Sequence, residues 1–244
     1  MIDKSKLVKA LFEDTALYLT YDYNLKIRKE TLESYTHHLK FNSVLDMPCG
    51  NGSISLPLLD RTKKLTLIDI STNMLSIAQK NISEDAKEKV ILINDDFFNL
   101  DISNHSYDLV ICLGLLAHVN SPEKLLDKLS KIILPNGLLI IQNTDSTHFY
   151  SYLIRCYLKL KRLISKQTYA LNEVKGSFVE NTLQNNGFEI LKTYRYNQSF
   201  LGFSNLFSNE KKYKLTRQFF GDADHPKKQR WGSDVTYLFR KKNS

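Results

Sequence analysis

The sequence predicts an open α/β fold with a largely parallel sheet, and three observations predict it. The first is residues 44–53 (VLDMPCGNGS), where a short apolar run reaches Asp46, turns tightly through Gly50 and Gly52, and leads into an apolar segment, 54–59, suited to a helix. The second lies about twenty residues on: residues 65–70 (LTLIDI) form another apolar strand ending in Asp69, the distance at which a strand–helix unit puts a carboxylate beside a ribose. The third is repetition, because residues 90–93 run into Asn94, Asp95 and Asp96, and residues 107–113 run into Gly114. Ligands of open parallel sheets bind outside the carboxyl ends of the strands, so these residues collect where a ligand would sit.

Each further element has a local reason. Residues 4–19 place Leu7, Leu11 and Tyr18 on one helical stripe with Val8, Phe12 and Leu19 beside it. Tyr18, Tyr21 and Tyr23 cluster before a second helix, 24–40, in which Leu25, Leu32, Tyr35 and Leu39 recur at helical spacing. Ser71 is an N-cap for a helix over 72–81 whose Met74, Leu75 and Ala78 face the sheet. Ser121 and Pro122 open another helix in the preferred order of cap and first residue, with Leu125, Leu129 and Ile132 as its buried stripe. Pro135, Asn136 and Gly137 turn the chain into a fifth strand, 138–142. A helix over 172–185 stops at Asn186 and Gly187, before a strand at 188–192. Residues 197–234 carry Phe200, Phe203, Phe207, Phe219, Phe220 and Trp231 among lysines and read as a cap inserted before the last strand, 235–241, which closes the sheet in antiparallel fashion.

Composition sets bounds. A chain of 244 residues with 42% hydrophobic and 25% charged residues is ordinary globular material for one domain. Cys49, Cys112 and Cys156 are scattered without a CxxC pair, which suits reduced thiols in a cytoplasmic protein and neither disulfides nor a zinc site. The first fifteen residues carry charges throughout, without a signal-peptide core, and no stretch is apolar enough to span a bilayer. The net charge of +8 is unevenly spread: residues 1–154 hold 16 Lys and Arg against 19 Asp and Glu, and residues 155–244 hold 18 against 7, giving −3 and +11. The first part suits a cationic cofactor; the second suits an anionic substrate, partner or surface, or serves only to keep the domain soluble.

Five segments in order, VLDMPCGNG, LIDISTNMLSIAQ, NDDFF, SYDLVICLGLLAHVNSPEKLLDKLSKIILPNGLLIIQ and NNGFEIL, resemble the class I S-adenosylmethionine-dependent methyltransferases, in particular the small-molecule branch. The resemblance covers the middle hundred or so residues well and the two ends poorly. It implies a Rossmann-like seven-stranded sheet, mostly parallel with an antiparallel last strand, helices on both faces and helical caps. Within a single domain it divides the chain into an N-terminal helical cap (1–42), a cofactor-binding core (43–146), a lid helix and following helix (147–187), and final strands with an inserted cap (188–244). It implies S-adenosyl-L-methionine as cofactor, S-adenosyl-L-homocysteine as product, and methyl transfer to an O, N or C acceptor.

The cofactor would lie across Asp46, Pro48, Gly50, Asn51 and Gly52, with Asp69 and Ile70 at the ribose. Asp95, Asp96 and Phe97 would meet the base, with Met74, Leu113 and Gly114 completing the site. Pro48 replaces the family's first loop glycine and removes one N–H, so loop contacts must come from other positions. His118, just past the fourth strand, is the first candidate for a base, its other reading being structural; Tyr18 and Tyr21 are the next, either roofing the sulfonium or packing. His148 and Asp145 are further polar residues after the fifth strand. No HExxH, HxxxH or GxSxG pattern is present, so neither a metal nor a nucleophilic serine is expected.

Residues 147–166 are the least family-like part. Phe149, Leu153, Cys156 and Leu160 form one stripe, and Arg155, Lys159, Arg162 and Lys166 another, which reads as a lid, a membrane-surface helix or a solvated helix. A small molecule, anionic or carrier-bound, is the expected acceptor. An RNA methyltransferase is a rival reading, but the loop LGLLAHVN lacks an NPPY-like motif or a catalytic Cys-Pro. A nicotinamide protein would want GxGxxG spacing, and a non-catalytic S-adenosylmethionine-binding module remains a third alternative.

Overall fold

A computed structural model describes residues 9, 13, 22–101, 106–162, 171–200 and 206–243, the side chains of 160–162 excepted. The expected helix over 4–19 therefore lies outside the described residues apart from Lys9 and Glu13, both helical, as do Tyr18, Tyr21, Lys166 and Phe203.

Helix α1 (Asp22–Thr36) precedes strands β1 (Phe41–Asp46) and β2 (Thr62–Asp69), helix α2 (Thr72–Lys80) and strands β3 (Val90–Asn94) and β4 (Tyr107–Cys112). Helix α3 (Pro122–Ile132), strand β5 (Ile133–Thr144), helices α4 (Phe149–Arg162) and α5 (Gly176–Asn185), strand β6 (Phe188–Tyr196), helix α6 (Asn209–Phe220) and strand β7 (Asp234–Lys241) follow. The sheet has seven strands in the order β3-β2-β1-β4-β5-β7-β6. Strands β1 to β5 pair in parallel, and β7 runs antiparallel to both β5 and β6. This is the Rossmann-like sheet that the sequence implies.

Strand alternation splits the core between the two faces, as a sheet covered on both sides requires. Leu45, Val110, Cys112, Leu139 and Ile141 bury one face against Leu125 and Leu129 of α3 and Val179 and Leu183 of α5. Val44, Leu65, Leu67, Leu109, Ile111 and Ile140 bury the other against Ile27 and Leu32 of α1, Leu75 and Ala78 of α2, and Phe220 of α6. Ser71 caps α2 by accepting from Met74 N at 3.2 Å, and Ser121 caps α3 by accepting from Lys124 N at 3.3 Å.

Helix α1 stops at Thr36, four residues short of the expected 24–40, and α5 starts at Gly176, four residues later than the expected 172; three further elements change character. The segment after the glycine loop forms turns and a 3₁₀ helix, Leu56–Arg61, instead of an α-helix over 54–59, because Pro57 has no N–H to give to the carbonyl four residues back. Pro135, Asn136 and Gly137 do not separate α3 from β5; they form a bulge inside β5, with Asn136 at φ 61° and the pairing jumping from Tyr107↔Ile133 to Leu109↔Leu138. Strand β6 runs four residues past Lys192, because Tyr194 and Tyr196 turn inward and are fully buried while Thr193 and Arg195 alternate with them.

The chain between β6 and β7 is a cap, and it is fastened to α1. Glu30 of α1 accepts from Tyr213 Oη at 2.7 Å and pairs with Arg217, whose Nη1 also donates to Tyr194 Oη at 3.0 Å. Ser34 Oγ donates to Asp224 at 2.6 Å. The start of α4 is tied to the same cap: Tyr150 Oη donates to the Ser199 carbonyl at 2.7 Å, and the Phe149 ring meets Trp231 edge-on at 5.3 Å. Two helices and the cap thus cover the end of the sheet where β4 and β5 terminate.

Candidate functional site

At the carboxyl ends of β1 to β4 the loops enclose a cleft of about 560 Å³, its open mouth included. Its floor is apolar, from Met47, Pro48, Ile68 and Ile70 on one side and Leu115 and Val119 on the other. Its polar groups are the carboxylates of Asp69, Asp95 and Asp96, with His118 and Asn120 at the β4 side; the rings of Phe97 and Phe98, 6.2 Å apart and at 65° to each other, complete the lining. No lysine or arginine lines it among the described residues.

The glycine loop is shaped by backbone strain relief and by Asp69. Gly50 and Gly52 have φ of 53° and 73°, a region that side chains with a Cβ disfavour, and a Cβ on Gly52 would come within 2.9 Å of Leu56. Asp69 is 6% exposed and fixes two turns at once: its Oδ2 accepts from Gly50 N at 2.8 Å and its Oδ1 from Ser71 N at 2.9 Å. Burial pushes its carboxyl up, against the lowering effect of those N–H bonds. Asn94 clasps the same corner, donating to the Asp69 carbonyl at 3.0 Å and accepting from Thr72 Oγ1 at 2.9 Å. Glu13 accepts from Thr72 N at 3.2 Å and so places a carboxylate at the N-terminus of α2.

Asp46 sits beneath the loop, not in the cleft lining. It is 2% exposed, accepts from Ser55 Oγ at 2.5 Å, and has its carboxyl pushed up to about 7, chiefly by burial. Asn51, Gly52, Met74 and Leu113 are likewise buried and outside the cleft lining, with Asn51 Oδ1 accepting from Ser53 N at 3.2 Å. Asp95 accepts from Asp96 N at 2.6 Å and Asn99 Nδ2 at 3.0 Å, which holds the loop after β3. Phe97 is buried under Lys128, whose ammonium lies 4.7 Å from the ring centre and donates to three loop carbonyls. His118 is half-buried on the wall of the cleft, its backbone N–H donating to Leu115 O at 2.8 Å.

The structure therefore brings Pro48, Asp69, Ile70, Asp95, Asp96, Phe97 and His118 to one cleft, and leaves Asp46, Gly50, Asn51, Gly52, Met74 and Leu113 outside its lining. Gly114 lies just past β4 at φ 88°, where a Cβ would be 3.2 Å from Arg28 Nη2. Met47, Ile68, Phe98, Leu115, Val119 and Asn120 also line the cleft and are absent from the sequence reading. Leu115, His118 and Val119 carried a signal, since the i, i+3, i+4 spacing puts them on one side of a single turn.

The basic stripe has a different setting from the one its spacing suggests. Arg155 is half-buried, donates to Ser146 O at 2.8 Å and lies 3.6 Å from Glu173, so it fastens α4 to its neighbours; Lys159 is exposed. The Arg162 side chain and Lys166 lie outside the described residues. Asp145 is a tether too, accepting from Gly176 N at 3.0 Å and Thr147 Oγ1 at 2.7 Å, and His148 Nε2 lies 2.9 Å from the Arg230 carbonyl. Among the described residues no helix is long and apolar enough to cross a membrane.

Ligands of open α/β sheets bind at the switch of strand order, and here that place is an acidic, aromatic-walled cleft. Comparison with known proteins shows what the chain is similar to. Residues 44–137 match the model of the methyltransferase domain. A ubiquinone biosynthesis O-methyltransferase of Rickettsia akari is 31% identical over 113 residues, 46% of this chain and 44% of that protein. A malonyl-[acyl-carrier protein] O-methyltransferase of Priestia megaterium is 29% identical over 170 residues, 66% of this chain and 59% of that protein. The chain thus spans about half the length of the curated relatives it matches. The crystal structure of magnesium protoporphyrin IX methyltransferase from Synechocystis PCC 6803 with bound SAH shares the fold at a TM-score of 0.62 and 17% identity, over 98% of this chain and 100% of that one. Residues 44–137 are thus similar to a methyltransferase domain, and the sheet has the fold of a methyltransferase solved with SAH bound.

Proposed function

We propose that the chain transfers the methyl group of S-adenosylmethionine to an O, N or C atom of a small molecule that has an apolar body and an anionic group. The observation that carries the cofactor half is the donor set of the cleft: carboxylates and flat rings on an apolar floor, with no lysine or arginine in its lining. Hydroxyl and amino donors and a sulfonium cation suit such a surface, whereas a pyrophosphate wants N–H groups and cations.

In this reading Asp69 receives the ribose hydroxyls, Asp95 with Asp96 the amino edge of the base, and Ile70, Phe97 and Phe98 its faces. Gly50, Asn51 and Gly52 shape the loop along the amino-acid portion, with Asp46, Met74 and Leu113 holding that loop and Gly114 leaving room beside β4. The bound cofactor supplies an electrophilic methyl on sulfur. The chain's own residues align the acceptor with it, a contribution of several kcal/mol when near-attack geometry is reached. His118 takes the acceptor proton, being the titratable imidazole on the cleft wall at the β4 side. Tyr18 and Tyr21 remain candidates for covering the site from outside the described residues. The relatives named as ubiquinone biosynthesis and malonyl-[acyl-carrier protein] O-methyltransferases support an amphiphilic or carrier-borne acceptor for this chain as well.

The test is acceptor-dependent turnover. The protein is incubated with methyl-labelled S-adenosylmethionine and a panel of apolar carboxylic acids, phenols and amines, and S-adenosylhomocysteine and labelled products are followed by mass spectrometry. The proposal expects product with at least one member. Tight binding of S-adenosylhomocysteine without turnover on any member would point to a binding module instead.

A further inference from the structure

We infer that Arg28 is the anchor for the anionic group of the acceptor, a carboxylate or a phosphate, and that the aromatic cavity of the cap takes the acceptor's apolar body. The inference rests on the methyltransferase reading above and names the acceptor class for the same site.

Arg28 projects from α1 over the end of β4. Its Nη2 lies 3.2 Å from where a Cβ on Gly114 would stand, and Gly114 is followed directly by Leu115 of the cofactor cleft. The same Nη2 donates to Gln198 Oε1 at 3.3 Å, and Gln198 sits between Asn197 and Ser199, both of which line the cavity in the cap. The guanidinium therefore bridges the two spaces. That cavity, about 1070 Å³ with its mouth, is walled by Tyr150, Phe200, Phe207, Leu215, Phe219 and Phe220. Tyr23, one helical turn before Ile27 on α1, donates to the Gln198 carbonyl and meets the Phe200 ring edge-on at 6.1 Å, which joins α1 to the cavity wall.

The charge on Arg28 is incompletely answered by the protein. It is half-buried, its Nε is buried without a hydrogen-bond partner, and it forms no ion pair among the described residues. Asp234 is the acidic group of its surroundings, but that carboxylate is occupied by Thr144 Oγ1, by Gln198 N at 2.8 Å and by Ser233 Oγ at 3.2 Å. Tyr196 Oη, its other neighbour, hydrogen-bonds with Arg28 and also accepts from Gln142 Nε2 at 3.0 Å, which leaves the guanidinium Nε as the unanswered donor. Leaving a buried guanidinium N–H unpaired is costly, so such a group marks a position that a ligand fills. The Nε–Nη2 edge of arginine matches a carboxylate with two parallel bonds and also serves phosphate. A polar head held there, next to Gly114, stands beside the wall that carries His118, and an apolar body extends into the aromatic cavity.

The experiment uses the full chain saturated with S-adenosylhomocysteine, whose binding is measured first on the same sample. Decanoate, decyl phosphate and 1-decanol are then titrated, with Trp231 fluorescence or calorimetry as readout. One of the anions is expected to bind at least about tenfold more tightly than the alcohol, and which one does so identifies the head group. Arg28→Gln should abolish that preference while leaving the affinities for 1-decanol and S-adenosylhomocysteine unchanged. Arg28→Lys, which keeps the charge and loses the planar fork, should retain part of it and serves if the glutamine variant does not fold. Equal binding of all three probes, no binding of any, or an anion preference that survives both substitutions would overturn the inference. Failure of S-adenosylhomocysteine to bind the parent protein would instead strike the reading on which it rests.

Discussion

Asp46→Asn gives the sharpest physical test of how the glycine loop is built. Asp46 is 2% exposed with Ser55 Oγ at 2.5 Å, and burial, the largest cause, pushes its carboxyl from 3.8 up to about 7, with the Asp69 charge adding to the rise. A raised folded value means that the folded state holds the proton more tightly than the unfolded chain. The associated stability is fully present below about pH 4 and is lost as pH rises through about 7. Between pH 6 and pH 8 the loss is about 1 kcal/mol, since the folded carboxyl gives up its proton across this range while the unfolded one has already lost it. For a chain of this size that corresponds to a fall in Tm of roughly 2–4 °C. Asparagine keeps an oxygen for the Ser55 hydroxyl and removes the titration. Thermal unfolding of the ligand-free protein should therefore show the parent's Tm dropping by that amount more than the variant's over this range. Parallel curves for the two proteins would refute the buried, proton-holding environment assigned to Asp46.

Two further perturbations probe the site and the cap. His118→Ala is expected to lower turnover about a hundredfold while S-adenosylhomocysteine affinity, measured by calorimetry, stays within about twofold; a loss of thermal stability with normal turnover would mark the imidazole as structural. Arg217→Met removes the partner of Glu30 and the donor to Tyr194 in the joint between α6 and α1. Because Glu30 is about a third exposed and keeps Tyr213 as a donor, the cost should be about 1–2 kcal/mol, or roughly 2–8 °C in Tm; an unchanged Tm would show that the cap is not fastened there.

Much of the fold was legible because local chemistry and global topology agree in the core. The strand ends at Asp46, Asp69 and Asn94, with Gly114 two residues past β4, mark the edge where the cleft opens, and the Ser71 and Ser121 caps fall where their hydroxyls meet backbone N–H groups. What the sequence did not disclose depends on long-range contact. Arg28 sits between Lys26 and Lys29 in sequence, and it is Gly114, Tyr196, Gln198 and Asp234, far along the chain, that surround it. Arg155 shares the spacing of an exposed stripe and is instead held by Ser146 and Glu173. The longer β6 was readable after the fact, since Tyr194 and Tyr196 keep the period of two that Lys192 seemed to end.

Calorimetric titration of S-adenosylhomocysteine into the parent chain and into Asp69→Ala tests the central claim most directly, with the unfolding temperature of each protein as a control, because Asp69 also holds Gly50 N and Ser71 N. A cofactor seated in the cleft predicts one site per chain in the parent and a loss of about 1–3 kcal/mol in the variant, as ribose hydroxyls lose their acceptor. Equal affinity in two folded proteins, or no binding to either, would contradict it.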